Sequence, residues 1–138
     1  MNKTLQAALV IGAVDLISRG LDYVLGSPAN GTNLEFSENL TLTWGVACLV
    51  SAFIICVGVL FKNFKIAILG SLSAFAVYAV LGFTILEDTI FMHPPDDWRL
   101  ISSHWCKGAL FALFATSLAF RHGVITILKR RKEIRGER

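Results

Sequence analysis

Apolar residues fall along this chain in long blocks rather than at the three-and-four spacing of an amphipathic helix. Leu42–Phe61 and Ile66–Leu86 carry no charged residue at all. A third block opens at Leu5 and reaches Leu25 with polar interruptions. A fourth runs from about Gly108 to Leu128, broken by Arg121 and His122. About 20 apolar residues in helical form cross the ~30 Å hydrocarbon core of a bilayer. The two uncharged blocks are joined only by Lys62-Asn63-Phe64-Lys65, too little chain for a soluble layer between them. The pattern predicts an all-α polytopic membrane protein, a four-transmembrane-helix bundle forming one domain over 1–138. Its spans are expected at about 5–25, 41–61, 66–86 and 101–128, with outer loops 26–40 and 87–100, an inner loop 62–65 and a tail 129–138.

Charge orients these spans, because Lys and Arg near a span are retained on the cytoplasmic side. Lys3, the pair Lys62 and Lys65, and the tail "LKRRKEIRGER" mark one side; Glu35, Glu38 and the acidic second outer loop mark the other. Both termini are therefore expected in the cytoplasm. With Asp15, Arg19, Asp22 and Lys107 placed in the outer half, that half holds eight acids and three bases, net −5. The inner half holds ten bases and two acids, net +8. A sequence pI near 8.9 hides this polarity. Tyr23, Trp44, Trp98 and Trp105 then fall at the outer interface, where an aromatic ring is buried and its polar tip stays wet. Composition adds little: 54% apolar and 17% charged residues, with a mean hydropathy of +0.62, fit a lipid-embedded chain. Lys3 followed by an apolar run resembles a secretory leader, but Asp15 ends that run and no small-x-small cleavage site follows, so span one is expected to be retained.

The segment "LEDTIFMHPPDDWR", residues 86–99, reads as the elbow between spans three and four. Pro94-Pro95 cannot continue a helix, and Asp96-Asp97 suit the positive end of the next one. Span one is less bland. Asp15, Arg19 and Asp22 are spaced i, i+4, i+7 and make one stripe, with the small Ala8 and Gly12 below them. Asp15 precedes Arg19 by four residues, the favourable order for an intrahelical pair. Charge facing lipid near the bilayer centre costs about 2.5–3.5 kcal/mol, so the stripe is expected to face protein or water. Glu87 and Asp88 at the end of span three, with His104 and Lys107 at the start of span four, lie at the same depth. The seven form a polar cluster that is either a ligand-binding crevice open to the outside or a salt-bridged network fixing helix register.

Gly45, Cys48, Ala52 and Cys56 on span two, and Gly70, Ser71, Ala74 and Gly82 on span three, make small-residue faces that permit close helix packing, including between copies. Cys48, Cys56 and Cys106 make no disulfide framework and no metal spacing. His93 and His104 lie near acids without a tight ligand spacing, so no metal and no cofactor are expected. The chain holds no phosphate-binding glycine loop, nucleophile elbow or HExxH. A membrane enzyme or redox subunit would need a ligand set or cysteine pair. The basic tail is explained by topology and by contact with anionic lipid, not by nucleic acid. Asn30-Gly31-Thr32 and Asn39-Leu40-Thr41 are formal glycosylation acceptors, relevant only in a eukaryotic secretory pathway.

Three segments carry a resemblance: "SRGLDYVLG" at 18–26, "LTLTWGVACLVSA" at 40–52 and "DDWRLISSHW" at 96–105. This succession resembles small four-span membrane proteins encoded by phages of actinobacteria. Some such proteins lie near lysis genes and are called holins or simply membrane proteins. The resemblance implies a non-enzymatic, holin-like accessory protein of the host's cytoplasmic membrane, whose partners are the lipid bilayer and further copies of itself. The residues alone keep a rival open, a binding or transport module using the outer polar crevice; no pattern names its ligand.

Overall fold

The computed structural model describes residues 3–25, 38–92 and 98–135, and every regular element among them is helical. The helices are α1 (Lys3–Val24), α2 (Glu38–Leu60), α3 (Phe64–Met92) and α4 (Trp98–Arg135). All four are long and apolar enough to cross a membrane. Helix α1 packs on α2, α2 on α3, and α3 on α4, whereas α1 and α4 scarcely meet. Consecutive helices run antiparallel. Gly20 of α1 lies against Leu49 and Gly45 of α2, Gly58 of α2 against Ala67 of α3, and Gly82 of α3 against Trp105 of α4.

Helices α2 and α3 are apolar on every face, so residue size rather than polarity decides what turns inward. Gly45, Cys48, Ser51, Ala52, Ile55 and Gly58 of α2 are buried. From Ser51 to Gly58 this face meets Ala67, Gly70, Ser71 and Ala74 of α3, while Gly45 lies against Gly20, Tyr23 and Val24 of α1. A Cβ added at Gly58 would stand 2.5 Å from the Ala67 backbone nitrogen, and one at Gly70 would stand 2.8 Å from that of Ile55. The Ser51 and Ser73 hydroxyls bond across this contact at 2.7 Å. Around this contact large side chains such as Phe53, 69% exposed, turn outward, whereas further along α3 Tyr78, Leu81 and Ile85 are buried. The small-residue faces expected as contacts between copies are thus largely filled within one chain.

The α2–α3 turn is short because two caps share it. The Asn63 N–H bonds to the Gly58 carbonyl (2.9 Å) and the Lys62 N–H to that of Val59 (3.2 Å), closing α2 in a Schellman motif. Lys62 takes the left-handed position with φ of 51°. The Asn63 side chain then accepts from the Lys65 N–H at 3.0 Å and caps α3.

Helix α4 buries Ile101, His104, Gly108, Phe111, Ala115 and Leu118, an alternating three-and-four spacing along one seam. It carries no buried residue after Leu118 and runs on to Arg135. Helix bounds differ from expectation at several ends: residues 38–40, 64–65 and 98–100, expected as loop, are helical, and two further differences are larger. Residues 87–92, expected as loop, continue α3, since nothing before the proline pair breaks a helix. Residues 129–135, expected as an extra-helical tail, are the last two turns of α4; Leu, Lys, Arg and Glu favour helix, and the bases suit its C-terminal dipole. The proline pair itself lies outside the described residues.

Candidate functional site

The buried face of α1 is Leu9, Ala13, Leu16 and Gly20. Ala8, Gly12, Asp15 and Arg19 sit beside it, on the edge turned toward α4, where each is half-buried. Gly12 leaves room for Phe111, whose ring would stand 2.9 Å from an added Cβ. One turn further along, Lys107 of α4 reaches across the same seam. Its Nζ donates to Asp15 Oδ1 at 2.6 Å and to Oδ2 at 2.9 Å. The Tyr78 hydroxyl of α3 donates to Oδ2 at 2.6 Å. Lys107 Nζ also lies 5.8 Å from the Tyr78 ring centroid, within reach of a cation–π attraction. One carboxylate therefore ties three helices together through charge-assisted bonds, the strong class of hydrogen bond.

Around this centre the packing is aromatic. Tyr78 stacks on Phe111 with centroids 5.9 Å apart, and the buried His104 ring lies 6.0 Å from that of Tyr78. The ion pair itself is not sealed. The Asp15 side chain keeps 38% of its exposure and that of Lys107 keeps 28%.

The sequence cluster is thus brought together only in part. Asp15, Lys107 and His104 converge. Arg19 does not pair with Asp15, as its i+4 spacing predicts; among the described residues it makes no ion pair. Lys107 arrives from the facing helix and, with Tyr78, occupies both carboxylate oxygens. Asp22 is exposed one turn above Arg19. The side chains of Glu87, Asp88 and Trp98 lie outside the described residues. Of the aromatic anchors, Trp105 is 41% exposed and covers Gly82. Trp44 differs: it packs against the core, and its indole Nε1 is buried without a hydrogen-bond partner among the described residues. Tyr23 is likewise packed against the core. Sequence reasoning missed Tyr78. The available signal was a phenol in the middle of an uncharged block, where a buried hydroxyl needs a partner.

No group of three or more His, Cys, Asp or Glu side chains able to hold a metal ion gathers among the described residues. No family model, no curated protein and no solved structure matches this chain. Fold and site define a class: an all-helical chain with four helices long and apolar enough to cross a membrane, three of them tied by a charged centre.

Proposed function

We propose that this chain is a non-enzymatic integral membrane protein, with both termini cytoplasmic, that acts on the permeability of the bilayer as a holin-like, phage-encoded accessory of the host membrane. Insertion is supported by the outward large apolar side chains on all four helices, a surface that water would not tolerate. Orientation is supported by the charge split, net −5 against net +8.

The observation that carries the reading is the depth and openness of the ion pair. Asp15 lies nine residues from the end of α1, Tyr78 eight from the end of the apolar stretch of α3, and Lys107 six from the start of that of α4. At ~1.5 Å per residue these are depths of about 9–14 Å below the outer boundary, in a core ~30 Å thick. A charged pair so deep, and partly open along a weakly packed seam, is an unstable arrangement against lipid tails. It suits a face that water or another polypeptide contacts when the membrane is breached.

Two measurements test this. Single cysteines in a cysteine-free background at positions 32 and 96 should react with an impermeant reagent from outside intact cells. Positions 63 and 134 should react only after permeabilisation, and labelling of 134 from outside would overturn the orientation. Induced expression in a bacterial host should collapse the membrane potential abruptly after a delay and release a co-expressed cytoplasmic endolysin. Growth at high expression with the potential intact removes the holin-like role.

One observation favours a second reading, a binding or transport module. Asp22, Arg19 and Asp15 form a polar track down α1 from its outer end to the ion pair. Under that reading the potential survives expression, while a solute flux appears that Asp15→Asn abolishes.

A further inference from the structure

We infer that the α1–α4 seam holds a single phospholipid with a zwitterionic headgroup, its ammonium at Asp22, its phosphate at Arg19 and an acyl chain running on below the Asp15–Lys107 pair. The inference rests on the reading of the chain as membrane-spanning. It deepens the permeability reading by naming the lipid chemistry that the seam draws inward.

The seam opens sideways. Helices α1 and α4 are bridged by side chains, Lys107 to Asp15 and Phe111 over Gly12, with little contact between their backbones. Ile11, Asp15, Ser18 and Asp22 follow at i, i+4, i+7 and i+11, one flank of α1 beside its buried face. Along this flank the polarity changes once. From the ion pair to the Val24 end it is polar: the Asp15 side chain is 38% exposed, Ser18 and Asp22 are exposed, and the half-buried Arg19 makes no ion pair among the described residues. Below the pair it is apolar. Ile11 is 70% exposed, and so is 46% of Leu110, one turn below Lys107 on α4. A groove that is polar at the membrane boundary and apolar toward the bilayer centre has the profile of a lipid, not of a soluble ligand.

The order of the charges matches a headgroup. Asp22 lies two residues from the end of α1, Arg19 five and Asp15 nine, depths of about 3, 8 and 14 Å at ~1.5 Å per residue. In either leaflet a zwitterionic phospholipid presents its ammonium outermost, then its phosphate, its ester carbonyls and its acyl chains. Here the carboxylate that attracts an ammonium is outermost. The guanidinium, whose planar fork suits a phosphate, lies about 4.5 Å below it. The Lys107 ammonium has three N–H donors and gives two to Asp15, so the third remains for an ester carbonyl. Asp15, Arg19, Asp22 and Lys107 sum to zero charge, so an anionic headgroup meets carboxylates as well as bases, whereas a zwitterion finds an opposite charge at each end. Local thinning of the bilayer is one way in which a charge held within hydrocarbon is relieved. A phosphate seated on Arg19 lies about 8 Å below the boundary and thins the leaflet at the seam. Such a thinned place is where a bilayer gives way first.

The test uses the full chain, purified and delipidated in a mild detergent. Phosphatidylethanolamine, phosphatidylglycerol and diacylglycerol with matched acyl chains are the probes, and native mass spectrometry reads how much of each stays bound. Phosphatidylethanolamine is expected to be retained at one per chain, at least five-fold more tightly than either of the others. Arg19→Gln should bring it down to the level of diacylglycerol. Asp22→Asn removes the partner of the ammonium and keeps that of the phosphate, so phosphatidylglycerol should then equal or exceed phosphatidylethanolamine. A merely structural Asp22 would leave the headgroup preference unmoved, and its exposed position keeps the test readable should Arg19→Gln fold poorly. Glycerophosphoethanolamine, the same headgroup without acyl chains, should not compete at equal concentration. Equal retention of the three lipids, a preference for phosphatidylglycerol, or a phosphatidylethanolamine preference that survives both substitutions would overturn the inference. Competition by glycerophosphoethanolamine would overturn it too, and identifies a soluble zwitterion as the ligand in its place. The two proposals fail separately. Headgroup-selective retention by a chain whose expression leaves the membrane potential intact sinks the permeability reading alone, and permeabilisation by a chain without that selectivity sinks the lipid site alone.

Discussion

Asp15→Ala and Lys107→Ala are each expected to lower the thermal stability of the purified protein by about 2–3 kcal/mol. Breaking one side of a fully buried ion pair costs ~3–5 kcal/mol, and the partial exposure of this pair lowers that figure. Each single change removes the charged partner, leaving Lys107 the Tyr78 ring face alone or Asp15 the Tyr78 hydroxyl alone, beside the apolar Phe111 ring. Replacing both by leucine removes the charges together and should recover most of the loss. Tyr78→Phe keeps the ring stack on Phe111 and deletes one bond to a carboxylate, for which about 1.5–3 kcal/mol is expected. The measurement is a double-mutant cycle in a detergent that keeps the protein monomeric, so that any contact between copies stays out of the result. A coupling above ~1 kcal/mol is expected for Asp15 with Lys107, and a clearly smaller one for Asp15 with Arg19. Equal couplings, or none for Lys107, would mean that the seam is not held by this pair.

That contrast shows where sequence reading stops. The four helices were legible because two uncharged blocks of span length admit few alternatives, and α2 and α3 begin or end within a few residues of those blocks. The membership of Asp15, His104 and Lys107 in one cluster was legible from depth alone. Partner choice was not. A helix repeat places Arg19 near Asp15 whatever the fold does, whereas Lys107 reaches it only if α4 turns that edge toward α1. Rotation about a helix axis is set by packing, and in a helix without charge the packing signal is residue size. The inward faces of α2 and α3 could be read that way, through Gly45, Cys48 and Ala52 on one and Gly70, Ser71 and Ala74 on the other, although Gly45 turns to α1 rather than to α3. Their mating within one chain rather than between copies follows from the short α2–α3 turn. Asn63 there ends one helix contact and caps the next, leaving the two helices no room to separate. Trp44 is a related case: an indole near the end of a span usually marks the interface, and here its ring also packs against the core.

Glycine substitutions separate packing from propensity and should give effects of opposite sign. At Gly58 a Cβ would sit 2.5 Å from the nitrogen and 2.7 Å from the Cα of Ala67, both backbone atoms directly above the α2–α3 turn. Neither atom can move without shifting α3 and the caps at Lys62 and Asn63. Gly58→Ala gains up to ~1 kcal/mol of helix propensity, yet overpacking costs typically ~1–3 kcal/mol. A net loss is expected, and Gly58→Leu should prevent the bundle from forming. At Gly123, in the stretch of α4 beyond its last buried residue, a Cβ meets nothing within 4 Å. Gly123→Ala therefore carries only the propensity term and should stabilise α4 by up to ~1 kcal/mol. Thermal unfolding of the two alanine variants in one detergent, followed by helical circular dichroism, compares them directly. The midpoint should fall for Gly58→Ala and hold or rise for Gly123→Ala. A rise at Gly58 would mean that α2 and α3 stand further apart than this packing allows, and with it would go the claim that their small-residue faces are filled within one chain.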